Sequence, residues 1–303
     1  MGIPTARYSE TATVRIDYEK CKACCLCVKV CKGAPLYSEN GKVRIDQTRY
    51  FGCIGCGHCA AVCPTGAIAV EGRDISQASL MNIPALETRA EYEELMALML
   101  ARRSTREFED REIEQEKIDR ILEAASKAPM GIPPSDVEVL VINGKEKVRE
   151  FSDDMLELMK SQKWIFSKPT LLLMRLLMKR EEYELLDKFM NPVIEIFEEM
   201  RKEDTDYLLY GAPLAMYFHV SPYADPADPF ITATYAMLAA ETLGLGSCMI
   251  GTIGPMLKSG GKKVKEKYGI KTRNQPGIVV IYGYPAVKYR RAILRNLAKV
   301  HYY

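Results

Sequence analysis

The sequence predicts a two-domain chain of mixed helices and strands, with a small cysteine-rich domain over residues 1–80 and a larger one over 81–303. Three observations carry this. Eight of the ten cysteines fall into two copies of one spacing near the N-terminus. Such an assembly needs only a short stretch of chain, so most of the 303 residues remain for a second domain with its own core. Apolar residues make up 48% of the sequence and the formal net charge is +2, values of a globular chain with no electrostatic case for nucleic acid.

In the first domain, Val14-Arg15-Ile16-Asp17 reads as a strand leading into Cys21, Cys24, Cys27 and Cys31, spaced C-x2-C-x2-C-x3-C. Val43-Arg44-Ile45-Asp46 leads in the same way into Cys53, Cys56, Cys59 and Cys63, the last followed by Pro64. Short apolar runs, Pro35-Leu36-Tyr37 and Ala67-Ile68-Ala69-Val70, follow the two loops, so each half reads strand, loop, short helix, strand. Thiolates are soft ligands for iron–sulfur clusters or zinc. Zinc sites pair two C-x2-C knuckles across a longer gap, whereas three cysteines on one tight loop cap a 4Fe–4S cube. Cys25 and Cys248 are left over, Cys25 as a packed thiol or an alternate ligand. His58, between two ligands, tunes a cluster by hydrogen bonding or sits on the surface.

Residues 10 to 75 resemble the bacterial two-cluster ferredoxins. In that family the fourth cysteine of each run ligates the other cluster. The resemblance implies one cluster on Cys21, Cys24, Cys27 and Cys63, and a second on Cys53, Cys56, Cys59 and Cys31. The chain departs from the family after Cys31, where Lys32-Gly33-Ala34 displaces the usual proline to Pro35.

The break between domains falls at about 74–89, where Ser76, Ser79, Asn82 and Pro84 loosen the chain. A helix is expected over Tyr92 to Ala101, then Arg102-Arg103-Ser104-Thr105-Arg106-Glu107-Phe108, whose guanidiniums suit a phosphate or carbonyl-rich ring as well as a solvated helix end. An amphipathic helix over Ile118 to Ala128 precedes a Pro- and Gly-rich turn through Pro134 and a strand over Val137 to Ile142. Downstream come a strand over Leu214 to Val220, a nearly all-apolar helix over Phe230 to Gly246 and a strand over Gly277 to Tyr282. Between them, Thr170 would cap a helix from Leu171 to Met190, and another would run from Val193 to Lys202. The stripe of Leu171, Leu172, Met174, Leu177 and Met178 suits dimer packing, a lid core or a pocket wall, and the 150–206 segment is read as a lid or dimer element.

Arg-Arg-Ser-Thr-Arg-Glu-Phe, then Leu-Gly-Leu-Gly-Ser-Cys-Met-Ile-Gly at 243–251, then Gly-Tyr-Pro at 283–285 resemble, in this order, the nitroreductase family of flavoproteins. The resemblance covers residues 90 to 303 and implies an α+β fold, a homodimer, and FMN at the subunit interface. It implies that Arg102, Arg103, Ser104 and Arg106 hold the ribityl-phosphate and the pyrimidine edge, and that Lys288, Arg290 and Arg291 close over the phosphate. Ile250, Gly251 and Thr252 would pass beside the flavin N5 edge, and Met130 and Gly131 would reach the other subunit's flavin. Where the family often has Asn followed by Gln-Pro-Trp, this chain has Pro133-Pro134-Ser135, so a side-chain amide to the ring is missing. His219 is either a structural histidine or a proton donor at the pocket rim.

Clusters carry single electrons and a flavin carries one or two. The expectation is therefore an iron–sulfur flavoprotein oxidoreductase with FMN and two 4Fe–4S clusters. A low-potential one-electron donor such as a ferredoxin feeds it, and a small organic substrate (a nitro group, an activated C=C bond or a quinone) receives the electrons. The alternatives are an electron-transfer subunit serving a partner protein, or the same chemistry run as a substrate dehydrogenase. Met1 to Glu10 lacks the apolar core of a signal peptide and no run is long enough to span a bilayer; thiolates holding iron imply a reducing cytoplasm, and low-potential clusters an anaerobe.

Overall fold

The computed structural model describes residues 3–175, 179–271 and 277–303. The chain divides into two units, and the first is discontinuous in sequence: Met1–Arg89 with Pro129–Glu138 and Val220–Pro229. The second comprises Ala90–Ala128, Val139–His219 and Phe230–Tyr303.

In the first unit, β1 (Thr13–Ile16), α1 (Leu26–Val30), β2 (Leu36–Glu39), β3 (Lys42–Ile45), α2 (His58–Ala61) and β4 (Ile68–Glu71) repeat one motif twice. β1 pairs antiparallel with β4, Val14 opposite Val70, and β2 pairs with β3, Leu36 opposite Ile45. Asn40 and Gly41, with φ of 49° and 73°, form the tight turn of the second hairpin. The duplicated words fold alike: Val14 and Val43 are buried and the arginines beside them exposed. After each strand an aspartate closes a turn, Asp17 accepting the Glu19 N–H at 3.1 Å and Asp46 the Thr48 N–H at 2.9 Å. The core here is small, Val14, Leu36, Val43, Ile68 and Val70 closing on Cys27, Cys53 and Cys59.

The second segment of the chain supplies α3 (Tyr92–Ala101), α4 (Gln115–Ala125), β5 (Val137–Asn143), α5 (Lys145–Gln162), α6 (Lys168–Met174) and α7 (Arg180–Leu185). A π turn over Leu186–Met190 leads into α8 (Asn191–Lys202). Then come β6 (Leu214–Val220), α9 (Asp228–Thr242), β7 (Gly246–Ile250), α10 (Ile253–Ser259), α11 (Lys262–Lys267) and β8 (Ile278–Gly283). The sheet order is β5-β6-β8-β7, with β8 antiparallel to both its neighbours. Every residue of β6 and β8 is buried, which explains why both read as unbroken apolar runs and do not alternate. Val148, Phe151, Met155 and Met159 recur at helical spacing on α5 and pack into the same core as Tyr217, Val279 and Ile281.

Several boundaries differ from expectation. α4 starts at Gln115 and stops at Ala125, three residues N-terminal to the reading at both ends. The all-apolar helix stops at Thr242 because Gly244, at φ 74°, makes a left-handed cap, and Leu245 N–H closes it on the Ala240 carbonyl at 2.9 Å. The residues beyond form β7, which was not anticipated, nor were α10 and α11. The single helix expected over 171–190 begins earlier, at Lys168 with Ser167 before it, and does not run through. Of its stripe, Leu171 is buried, Leu172 is exposed, and Leu177 and Met178 lie outside the described residues.

Candidate functional site

The cysteine runs wrap two cavities. Cys21, Cys24, Cys27 and Cys63 line one, with about 330 Å³ of empty space. Cys31, Cys53, Cys56 and Cys59 line the other, also of about 330 Å³. Each cavity thus takes three thiols from one run and the fourth from the other. Among the described residues, no three His, Cys, Asp or Glu side chains converge closely enough to hold a single metal ion.

The loops acquire this shape through left-handed residues that face the thiols inward. Ala23 and Cys25 have φ of 52° and 56° in the first run, and Gly55 and Gly57 have φ of 73° in the second. Backbone N–H groups reach the sulfurs, Gly55 to Cys53 Sγ at 3.4 Å and Ala67 to Cys63 Sγ at 3.2 Å. Burial pushes the Cys27 and Cys53 thiols up and the Cys59 thiol up to about 12. At Cys63 burial acts the same way, but hydrogen bonds from Thr65, Ala67 and Ile68 outweigh it and the thiol is lowered. Cys25 also lines the first cavity, its thiol 3.4 Å from the Ala23 carbonyl and 3.6 Å from Ser38 Oγ. His58 opens α2 and is exposed.

In the second unit the arginine-rich segment lies along β7. Ser104 bridges to Ser247 in parallel register, and Thr105 N–H donates to the Ser247 carbonyl at 3.0 Å. Gly246 is required for this approach, since a Cβ there would stand 2.5 Å from Thr105 Oγ1. The arrangement brings Arg106 to an open cavity of about 250 Å³ with Ile250, Gly251 and Thr252. Its walls include Ile196 and Phe197 of α8, and Tyr210, whose ring lies 5.7 Å from the Arg106 guanidinium. Gly251 offers a bare Cα, because a Cβ there would meet no atom within 4 Å. Among the described residues Arg102 Nη1 and Thr252 Oγ1 are buried without a hydrogen-bond partner. Arg103 Nη1 is engaged, donating to the Arg102 carbonyl at 2.8 Å. Burial raises the Glu241 carboxyl, and the charges of Arg102 and Arg103 only partly draw it back.

The model of the nitroreductase family matches residues 99–284, more than half of the chain. The chain belongs to the nitroreductase family. The FMN reductase [NAD(P)H] of Bacillus subtilis is 29% identical over 160 residues, 53% of this chain and 55% of that protein. A Bacteroides fragilis nitroreductase with bound FMN covers 69% of this chain and 99% of its own, at 20% identity and a TM-score of 0.50, a likeness of fold. The other part of this nitroreductase-family chain has separate relatives. An uncharacterized ferredoxin of Methanocaldococcus jannaschii is 41% identical over 59 residues, 18% of this chain and 74% of its own. The archaeal-type glutamate synthase [NADPH] of Thermotoga maritima is 45% identical over 67 residues, but this chain spans only 12% of its length. The chain therefore joins a ferredoxin-like segment to a nitroreductase-family α+β domain. Among the described residues no helix is long and apolar enough to cross a membrane.

Not every residue of the nitroreductase signature gathers at the Arg106 cavity. Arg102, Arg103 and Ser104 do not line it, nor do Lys288, Arg290 and Arg291, which sit on the exposed segment after β8. Met130 and Gly131 belong to the first unit, where Gly131 N–H points at both carboxylate oxygens of Asp228, 3.3 Å from each. His219 is buried on β6 and stacked 5.0 Å from the Tyr217 ring, and burial lowers it to about 4, so it is neutral at physiological pH. It is not among the residues lining the cavity. The aromatic wall of Phe197, Tyr207 and Tyr210 was not singled out from the sequence, where such residues read as ordinary core.

Proposed function

We propose that this chain is an iron–sulfur flavoprotein oxidoreductase. It would take single electrons from a low-potential donor such as a ferredoxin, through two 4Fe–4S clusters, to FMN and on to a small organic acceptor. The observation that carries this reading is that the eight motif cysteines sort four and four between two cavities, the first of which Cys25 also lines, in a nitroreductase-family chain. The mixed origin of each set fits the ligand exchange of two-cluster ferredoxins. Thiols that surround empty space without converging on one point suit a cube better than a lone zinc ion.

The cavity lined by Arg106 supports FMN. Arg102, with an unpartnered buried donor, Arg103 and Ser104 lie just before Arg106 in the chain, and together these groups would suit the phosphate end and the ring edge. The bare Cα of Gly251, flanked by Ile250 and Thr252, admits a planar ring at close range. Bound there, FMN would supply the exchange between single electrons and a hydride equivalent. Val193, Ile196 and Phe197 give the cavity an apolar wall from the 150–206 segment. That wall favours an enzyme with an organic substrate over an electron-transfer subunit, because it offers an apolar acceptor a surface to lie against.

The working unit in this reading is a homodimer. The arm from Val287 to Tyr303 leaves Ile293, Leu294 and Leu297 exposed, and α3 leaves Tyr92, Leu95 and Met99 exposed. Apolar surface of this kind seeks a partner, and a second copy would also bring Lys288, Arg290 and Arg291, with Met130 and Gly131, to complete the flavin site. The test is anaerobic purification followed by metal, sulfide and flavin analysis, then a screen of nitro, activated C=C and quinone acceptors against the reduced protein, following flavin reoxidation. Zinc in place of iron, or FAD in place of FMN, would overturn the reading.

A further inference from the structure

Arg73 follows β4 in the left-handed region, at φ 52°, and is 2% exposed. Each nitrogen of its guanidinium donates to a carbonyl. Nε donates to Ile54 at 3.1 Å, Nη1 to Ile3 and Glu10 at 2.7 Å each, and Nη2 to Pro133 at 2.7 Å. Among the described residues it forms no ion pair, so its charge is held in place by dipoles and not neutralised. Its stem lies over Gly55, between Cys53 and Cys56: a Cβ on Gly55 would stand 3.1 Å from Arg73 Cβ and 3.6 Å from its Cδ. Ile54, whose carbonyl it grips, directly follows Cys53. A buried cation therefore stands against the loop of one thiol cavity. Among the described lining residues, the Cys21, Cys24, Cys27 and Cys63 cavity has one cation, the exposed Lys22, matched by the exposed Lys32 at the Cys53 cavity, and both are screened by solvent.

Reduction adds a negative charge to a cluster, and burial opposes that charge. Cys53 and Cys59 are buried, whereas Cys24 of the other set is exposed. Burial alone would make the Cys31, Cys53, Cys56 and Cys59 cluster the harder to reduce. A fixed neighbouring cation reverses this, because the electrostatics around the thiolates sets cluster potentials.

We propose that Arg73 raises the potential of the Cys31, Cys53, Cys56 and Cys59 cluster above that of the Cys21, Cys24, Cys27 and Cys63 cluster. This rests on the two-cluster reading above. With both clusters bound, Arg73 would favour the reduced state of the more buried one, so an electron supplied by an external one-electron donor would come to rest there, leaving the more exposed cluster oxidised. Through Pro133 the same side chain also ties the cluster loop to the segment that carries Met130 and Gly131.

The test uses the full-length holoprotein, purified anaerobically, in an EPR-monitored redox titration of the parent, Arg73→Gln and Arg73→Lys. The parent should show two separated one-electron steps. Arg73→Gln should lower the equilibrium constant of the higher step by tenfold or more, about 59 mV for one electron, and leave the lower step in place. Arg73→Lys keeps the charge and should hold the higher step within about threefold of the parent. Coincident steps in the parent overturn the proposal, as does an unmoved higher step, or a moved lower one, in iron-replete Arg73→Gln. If Arg73→Gln loses iron, Arg73→Lys decides: a tenfold fall of its higher step at full iron content overturns the proposal. A parent that holds no iron at all defeats the cluster reading instead, and is distinguished by metal analysis before any titration.

Discussion

Arg102 gives the sharpest test of the flavin site. It follows α3, and its Nη1 is buried with no hydrogen-bond partner among the described residues. A charged donor so placed is costly unless something accepts its hydrogen bond, and a phosphate or ring carbonyl arriving there restores one. Hydrogen bonds to charged groups contribute about 1.5–3 kcal/mol. At about 1.4 kcal/mol per tenfold, Arg102→Ala should weaken FMN binding by about ten- to a hundred-fold. Arg103→Ala should cost less, since Arg103 Nη1 already donates to the Arg102 carbonyl. Titrating FMN into flavin-stripped protein and following the quenching of flavin fluorescence measures both. An Arg102→Ala protein with unchanged far-UV circular dichroism and a Kd within about threefold of the parent would refute the assignment.

Three further outcomes are expected. Cys21→Ser or Cys53→Ser should each deplete one cluster, seen as lost iron and visible charge-transfer absorption, whereas Cys25→Ser should keep both, its thiol being engaged with Ala23 and Ser38. Burial holds His219 at about 4 against an ordinary 6.5, so the unfolded chain binds the proton first. Stability from this group is complete above pH 6.5 and is lost as pH falls towards 4, by an amount on the order of 3 kcal/mol, and His219→Asn should flatten that part of a melting-temperature profile. The Tyr284 hydroxyl, first, and then the Arg111 side chain help hold Glu114 at about 2, below its ordinary 4.5. That contribution is present above pH 4.5 and lost towards pH 2, so Tyr284→Phe should lower the melting temperature at neutral pH and narrow the difference from the parent in acid.

Some of this was legible because its physics is local. Three cysteines within seven residues of chain keep their thiols close together whatever the rest of the fold, and the repeated Val-Arg-Ile-Asp words fold into matching strands and turns. The buried strands β6 and β8 announced themselves as apolar runs. β7 did not: Gly246-Ser247-Cys248 is a strand only because β8 pairs with it on one side and Ser104 bridges it on the other. The helix expected over 171–190 was not found as one element: α6 ends at Met174 and α7 begins at Arg180, and helix propensity alone does not place such breaks.

By itself the sequence determined the two cysteine motifs, the arginine-rich segment and the family to which the larger part belongs, since each is written in residues close together along the chain. The tertiary structure decided which thiols share a cavity, because the fourth of each set arrives from the other run. It also decided that Phe197 and Tyr210 meet Arg106 and Gly251, that His219 is buried and neutral, and that Arg73 stands over the Cys53 loop. Each of these depends on chain segments far apart in sequence being brought within a few ångströms, and no periodicity or spacing along the chain encodes such a meeting.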